Sequence, residues 1–241
     1  MSPENLVGAK RKEFKDMVAS HGLEISALCG DLGEGFTNPQ KNPALIEKSK
    51  RILDLAVELG TNVVTTHIGV VPNDPRHPRY AIMQDACGEL AEYADSLNAH
   101  FAIETGPEVA TTLRCFLDGL HSTGVAVNLD PANFVMVTGD DPVRAVYTLR
   151  EYIVHTHAKD GVRFYAEDPI VVYSGHSAED VIVTSAAFEE KALGDGAVDF
   201  DRYLQALEDI GYRGYLTIER EVGDNPEADI AKAVAFLKSK F

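Results

Sequence analysis

Two kinds of hydrophobic pattern alternate along this chain, and each predicts a different element. Short, nearly continuous apolar runs, such as residues 125–129, are typical of buried strands. Longer segments lie between them, and there apolar residues recur every three or four positions, as between Asn42 and Gly60. That spacing is typical of helices with one buried face. We therefore expect strands and helices to alternate.

Six segments have the length and composition of strands. They are centred near Ile25, Val64, Ile103, Val127, Val154 and Thr217. The first helix is predicted from Ser2, the expected N-cap ahead of Pro3, to Gly22. Helices alternating with strands imply an α/β fold with a parallel sheet and right-handed crossovers, and a closed (β/α)8 TIM-type barrel is one fold of this kind. That barrel needs eight strands. Because the chain begins on a helix, any missing strands belong at its N-terminus.

One connection between strands is much longer than the others. Residues 164–193 precede the last strand and are expected to form an insertion, either a lid, an oligomer contact or a plain surface excursion. Within it, Pro169–Tyr173 and Val181–Thr184 are apolar runs that could pair as a small hairpin. No linker or shift in composition divides the chain, so we expect one domain over residues 1–241.

Composition excludes several classes of protein. Hydrophobic residues make up 45% of the chain and charged residues 25%, which is typical of a soluble globular protein. The formal net charge of −16 leaves no basic face for nucleic acid. No apolar run reaches the roughly 18 residues that span a bilayer, and no signal peptide is evident, so we expect no membrane partner. The irregularly spaced Cys29, Cys87 and Cys115 are expected to be free thiols in the cytoplasm.

Polar residues gather where the predicted strands end. Glu104, Asp130 and Glu219 each close a strand, and another strand ends near two histidines, His155 and His157. The carboxyl ends of parallel strands meet on one face of a barrel, so these groups would surround one centre. Three carboxylates and one imidazole suit Mn²⁺, Mg²⁺ or Co²⁺ better than a thiol-preferring ion. The sequence therefore predicts a metal site.

The roles of several neighbouring residues stay open at this point. Strand alternation places His155 and His157 on the same face and does not choose between them as the ligand. His67 ends another predicted strand and either faces the site or is a core histidine. Lys159 either contacts an oxygen of the substrate or pairs with Asp160.

The order and spacing of six segments resemble the sugar phosphate isomerase/epimerase family, whose members have the xylose-isomerase-like TIM barrel. The resemblance covers nearly the whole chain. The segments are residues 63–69, 103–104, 128–133, 155–160, 194–200 and 211–219.

This resemblance implies roles for individual residues. In the family the second histidine of the segment is a metal ligand, which here is His157, and His155 remains as supporting structure. Glu104, Asp130 and Glu219 match the other three ligands. The two glutamates are implied to act also as an acid/base pair.

Further positions match the substrate contacts of the family. Asn133 and Arg163 are implied to bind substrate, and His67 and Lys159 are expected to hold substrate oxygens with them. Ala110 stands where the epimerase branch carries an acid, so here the chain departs from that branch.

The resemblance also bears on completeness and activity. The predicted strand at residues 23–29 aligns with the third strand of the family, so we expect the first two strands to be absent and the open edges to favour homo-oligomers. We expect a divalent-metal-dependent isomerase or epimerase that converts a sugar, sugar phosphate or polyol through an enediolate. Mn²⁺ is the expected ion, with Mg²⁺, Co²⁺ or Zn²⁺ as alternatives. The alternatives for function are an inosose-dehydratase-like lyase on the same site, or a non-catalytic sugar-binding or interaction protein on a degenerate barrel.

Overall fold

The computed structural model describes residues 2–174 and 185–241. Its strands are, in chain order, β1 Leu28–Cys29, β2 Val63–Thr66, β3 His100–Glu104, β4 Val125–Leu129, β5 Ile153–Ala158, β6 Asp160–Arg163, β7 Phe188–Lys191 and β8 Leu216–Ile218. Six of them form one parallel sheet in the order β1-β2-β3-β4-β5-β8. This sheet curls into a half-barrel, and β6 and β7 form a separate antiparallel pair. The predicted TIM-type parallel architecture is confirmed.

Helices connect the strands and cover the outside of the half-barrel. They are α1 Ala9–Ser20, α2 Asn42–Leu59, α3 Pro78–Ser96, α4 Ala110–Asp118, α5 Pro131–Asn133, α6 Pro142–Leu149, α7 Pro169–Ser174, α8 Phe200–Asp209 and α9 Pro226–Lys238, and a π-helical turn, Phe134–Thr138, follows α5. The core lies between sheet and helices and includes fully buried Phe101 and Leu113. Among the described residues, no helix combines the length and apolar character that a bilayer crossing requires.

The N-terminal prediction was wrong in two respects. The first long helix begins at Ala9, because Ser2 starts only one turn and Gly8, at φ 54°, interrupts it. The first strand is limited to Leu28–Cys29 instead of residues 23–29. It lies at an edge of the sheet, where β2 is its one partner among the described strands, and Leu23 is 63% exposed. With one neighbour and little burial, residues 23–27 gain too little to form a strand.

The predicted hairpin within residues 164–193 is also corrected. Pro169–Tyr173 lies in helix α7, because Asp168 accepts a hydrogen bond from the backbone N–H of Ile170 and Pro169 suits a first helical position. Val181–Thr184 lie outside the described residues. The antiparallel partner of β7 is β6, in which Arg163 pairs with Phe188.

Candidate metal centre

Four predicted ligands converge at the carboxyl ends of the strands. Glu104 ends β3, Asp130 follows β4, His157 lies in β5 and Glu219 follows β8. One potential ligand atom from each lies within 4.8 Å of all the others. Parallel strands in register bring these ends together, so the spacing of the sequence becomes a single cluster.

The imidazole of His157 is the centre of this cluster. Its Nδ1 lies 3.2 Å from Glu219 Oε2, 3.3 Å from Asp130 Oδ2 and 3.7 Å from Glu104 Oε1. Burial alone would lower the pKa of His157, but the carboxylates outweigh burial and raise that pKa well above its usual value. A proton and a divalent cation would therefore compete for Nδ1. Three carboxylates and one imidazole fit an oxygen-preferring divalent ion.

A chain of neutral groups supports the cluster from beneath. The Asn128 amide nitrogen lies 3.1 Å from His157 Nε2 and 3.4 Å from Glu104 Oε2, and the amide oxygen lies 2.8 Å from His155 Nδ1. The other ring nitrogen of His155 lies 2.9 Å from Thr217 Oγ1. Burial lowers the pKa of His155 to about 4, so this histidine is neutral at pH 7. His155 thus contacts Asn128 and not the carboxylates, which agrees with a supporting role.

The loops after β3 and β4 fix Asp130 and Glu104 relative to each other. Asp130 Oδ1 accepts a hydrogen bond from the backbone N–H of Asn133, and Thr105 Oγ1 donates to the Asp130 carbonyl. The Asn133 side-chain amide donates to Glu104 Oε1 at 3.1 Å. Gly106, at φ +135°, permits this packing, because a Cβ there would lie 2.4 Å from that of Asn133.

His67 faces the cluster instead of the core. Its Nδ1 lies 2.9 Å from Asp31 Oδ2, and its Nε2 lies 3.8 Å from Glu104 Oε1. Burial would lower the pKa of His67, but Glu104 and Asp31 raise it to about 9. Asp31 was not predicted from the sequence as part of this site. Its position could have indicated it, because Asp31 lies just after β1, as Asp130 and Glu219 lie just after their strands.

Lys159 is held by acids other than its neighbour in sequence. Its Nζ lies 2.9 Å from Glu219 Oε2 and also contacts Glu221 and Glu190. The alternative pairing with Asp160 is wrong. The Asp160 carboxylate instead accepts hydrogen bonds from four backbone N–H groups: Gly161, Gly194, Gly196 and Val198. Those donors satisfy Asp160 completely and hold the start of β6 against the loop before α8.

Comparisons with known proteins agree with this geometry. Residues 2–240 match the family model described as xylose isomerase-like TIM barrel. This chain belongs to that family. The ketose 3-epimerase of Arthrobacter globiformis is 22% identical to it over 220 residues, which cover 85% of this chain and 66% of that protein.

Solved structures show the same fold. A xylose isomerase domain protein from Planctomyces limnophilus superposes with a TM-score of 0.78 at 26% identity, covering 95% of this chain and 80% of that one. A probable 3-DHS dehydratase from Bacillus anthracis gives a TM-score of 0.72 at 18% identity, covering 98% and 85%. The fold thus occurs both in a protein described as a xylose isomerase domain protein and in one described as a probable dehydratase.

The residues that the family resemblance assigned to substrate divide into two groups. His67, Asn133 and Lys159 line a cavity of about 180 Å³ together with Glu104. Arg163 does not line it. Its guanidinium donates to the carbonyl oxygens of Thr138 and Tyr165 and lines a neighbouring cavity. A substrate contact by Arg163 stays a prediction.

Proposed function

We propose that this protein is a divalent-metal-dependent isomerase or epimerase of a sugar, sugar phosphate or polyol. The observation that carries the proposal is the convergence of Glu104, Asp130, His157 and Glu219 within 4.8 Å. A structural role would not require three carboxylates around one buried imidazole, since carboxylates this close together repel one another unless a cation binds between them. Similarity to a ketose 3-epimerase supports the class of reaction.

The residues of the chain divide the work as follows. A bound divalent ion, Mn²⁺ as the first candidate, would supply Lewis acidity that stabilises the charge of an enediolate. One of the two glutamates, Glu104 or Glu219, removes the proton from the carbon beside the carbonyl group. The other returns a proton at the same or the neighbouring carbon. His67, Asn133 and Lys159 line the same cavity and would donate hydrogen bonds to substrate oxygens.

A lyase reaction on the same site is the second candidate. The same residues would then form the enediolate, and a β-hydroxyl group would leave instead of a proton returning. A probable dehydratase shares the fold at 18% identity, so the fold alone does not separate the two reactions. Analysis of the product distinguishes the two reactions, because the substrate loses water only in the lyase reaction.

Isotope exchange tests the proposal. Ketoses, aldoses and inososes are incubated in D₂O with the protein and Mn²⁺, and deuterium at the carbon beside the carbonyl group is measured by NMR. We expect exchange with the unaltered chain and none with Glu219→Gln, while Mn²⁺ still binds. The matched control is Glu208→Gln, at an exposed position of α8. Equal exchange by Glu219→Gln and the unaltered chain would rule out Glu219 as acid or base.

A further inference from the structure

A second cavity, of about 320 Å³, lies beside the one that contains Glu104. Val137 lines both cavities. Helix α7 separates them, with Tyr173 on the first and Ile170 on the second. The loop after β3 likewise begins at Glu104 in the first cavity and reaches Glu108 in the second. The two cavities are therefore neighbours along the same loops, and one elongated small molecule could occupy both.

Two arginines line the second cavity, and neither forms an ion pair with an acid of the described residues. Arg163 uses Nε and Nη1 to donate to two carbonyl oxygens, which leaves its remaining N–H groups available. The Nε of Arg79 is buried and has no hydrogen-bond partner. In residues 2–174 and 185–241, these are the only arginines that are shielded from solvent and have no carboxylate within 4.0 Å. The other half-buried arginines all have one: Arg11, Arg114 and Arg220.

A shortage of acidic residues does not explain why Arg79 and Arg163 lack a carboxylate partner. The chain has 38 acidic residues against 22 lysines and arginines, so acids are abundant. A buried guanidinium N–H that is left without an acceptor destabilises the fold. The planar guanidinium matches two oxygens of a carboxylate or a phosphate, and it binds them by two parallel hydrogen bonds. Both arginines thus lack the kind of partner that an anionic ligand would supply.

The acids in the wall of the cavity do not neutralise these arginines. Glu108 is buried, and burial raises its pKa to about 8, so its carboxyl group is mostly uncharged at pH 7. Glu167 accepts a hydrogen bond from Ser185, and Asp168 caps α7. Neither lies within ion-pair distance of Arg79 or Arg163 in the part of the chain that the structure describes.

We propose that the cavity of Arg79 and Arg163 binds an anionic group, a phosphate or a carboxylate, that the substrate itself carries. The anion would lie in the second cavity while the reacting carbons lie beside Glu104 in the first. The assignment to substrate rests on the proposed function, whereas the affinity of the cavity for an oxyanion does not. A free oxyanion and the anionic end of a substrate would make the same contacts, so the test must distinguish them.

Titration with inorganic phosphate tests the cavity alone. Binding to the full-length chain is measured by calorimetry for the unaltered protein, Arg79→Gln and Arg163→Gln. The control is Arg76→Gln, since Arg76 is exposed and pairs with Asp74. We expect at least about a tenfold loss of phosphate affinity in the first two variants and none in the control, because each loses charged hydrogen bonds. No binding by the unaltered chain, or equal binding by a folded Arg79→Gln and Arg163→Gln, would overturn the proposal.

Kinetics then identify the source of the anion. The kcat/KM values for ketoses and for their phosphates or acids are compared in Mn²⁺. We expect the anionic substrates to be preferred by about tenfold or more, Arg79→Gln to reduce the ratio of anionic to neutral kcat/KM by about that factor, and the control Arg76→Gln to leave both values unchanged. Phosphate binding without any turnover would support the anion site and contradict the proposed function. Turnover with no preference for anionic substrates would contradict the assignment to substrate and leave the proposed function standing.

Discussion

Two cations that are shielded from solvent line adjoining cavities of this fold, in opposite surroundings. Lys159 is 3% exposed, and three carboxylates surround its Nζ. Arg79 has a buried Nε with no hydrogen-bond partner, and no carboxylate of residues 2–174 and 185–241 lies within 4.0 Å of its guanidinium. The charge of Lys159 is balanced within the protein, so this residue belongs to a preassembled cluster. No acid of the described residues balances the charge of Arg79, as expected for a side chain that binds an anionic ligand. Burial alone therefore does not tell what a charged side chain does.

Removing each cation in turn gives the largest expected difference. Lys159→Met removes the buried cation shared by buried Glu190 and half-buried Glu219 and Glu221. Arg220 still pairs with Glu190 and His157 with Glu219, so we expect the free energy of unfolding to fall by about 3 kcal/mol, at the lower end for a broken buried pair. Arg79→Met removes a charge that has no partner, so we expect a change within about 1 kcal/mol. Urea unfolding with EDTA present measures both. Similar losses in the two variants would mean that the surroundings of the two cations do not differ in energy.

His67 is intermediate between Lys159 and Arg79 in the balance of its charge. Asp31 lies close to its ring, at 2.9 Å, and Glu104 lies farther away, at 3.8 Å. The pKa of His67 is raised from 6.5 to about 9 by Glu104 and Asp31, against the opposing effect of burial. A raised pKa stabilises the fold fully below about pH 6.5, and that contribution is lost as the pH rises through about 9. The shift corresponds to about 3 kcal/mol.

We therefore expect the unfolding free energy, measured in urea with EDTA, to fall between pH 6.5 and 9 in the unaltered chain. His67→Asn should reduce that fall. The control is His21→Asn, at an exposed position after α1, which should leave the pH dependence as it is. The same fall in His67→Asn and the unaltered chain would show that His67 is not the residue responsible.

Much of the cluster could be predicted from the sequence because it follows one rule. Glu104, Asp130 and Glu219 each stand at the end of an apolar run, and parallel strands in register bring those ends together. The choice of His157 over His155 rested on the family resemblance. Asn128 could also have been predicted, because it lies two residues before Asp130 in an extended segment and so points to the same face.

Other features could not be predicted, for physical reasons. Glu190 reaches Lys159 only because β7 pairs with β6 across the long connection, and no local pattern encodes that pairing. Arg79 lies in the first turn of α3, where an arginine is ordinarily a solvated residue. Its role depends on the absence of a neighbouring carboxylate in the described structure, and a sequence pattern does not show such an absence. The short β1 reflects its position at the edge of the sheet, which the apolar run at residues 23–29 does not reveal.

The smallest expected effect concerns Asn128, which supports the cluster without any charge. Its amide lies against both His157 and Glu104 and is held in turn by His155. Groups that orient a metal-binding histidine typically contribute 10- to 100-fold in metal affinity. We expect Asn128→Leu to weaken Mn²⁺ binding by about that factor, or about 1.4–2.8 kcal/mol. Calorimetric titration with Mn²⁺ measures it.

A second substitution separates orientation from packing. His155→Gln keeps a polar partner for Asn128 in a similar volume, so it should weaken Mn²⁺ binding less than Asn128→Leu does. If both variants bind Mn²⁺ like the unaltered chain, the carboxylates alone set the affinity. Asn128 would then not contribute to the orientation of the His157 imidazole, and only the charges of the cluster would determine its affinity for the ion.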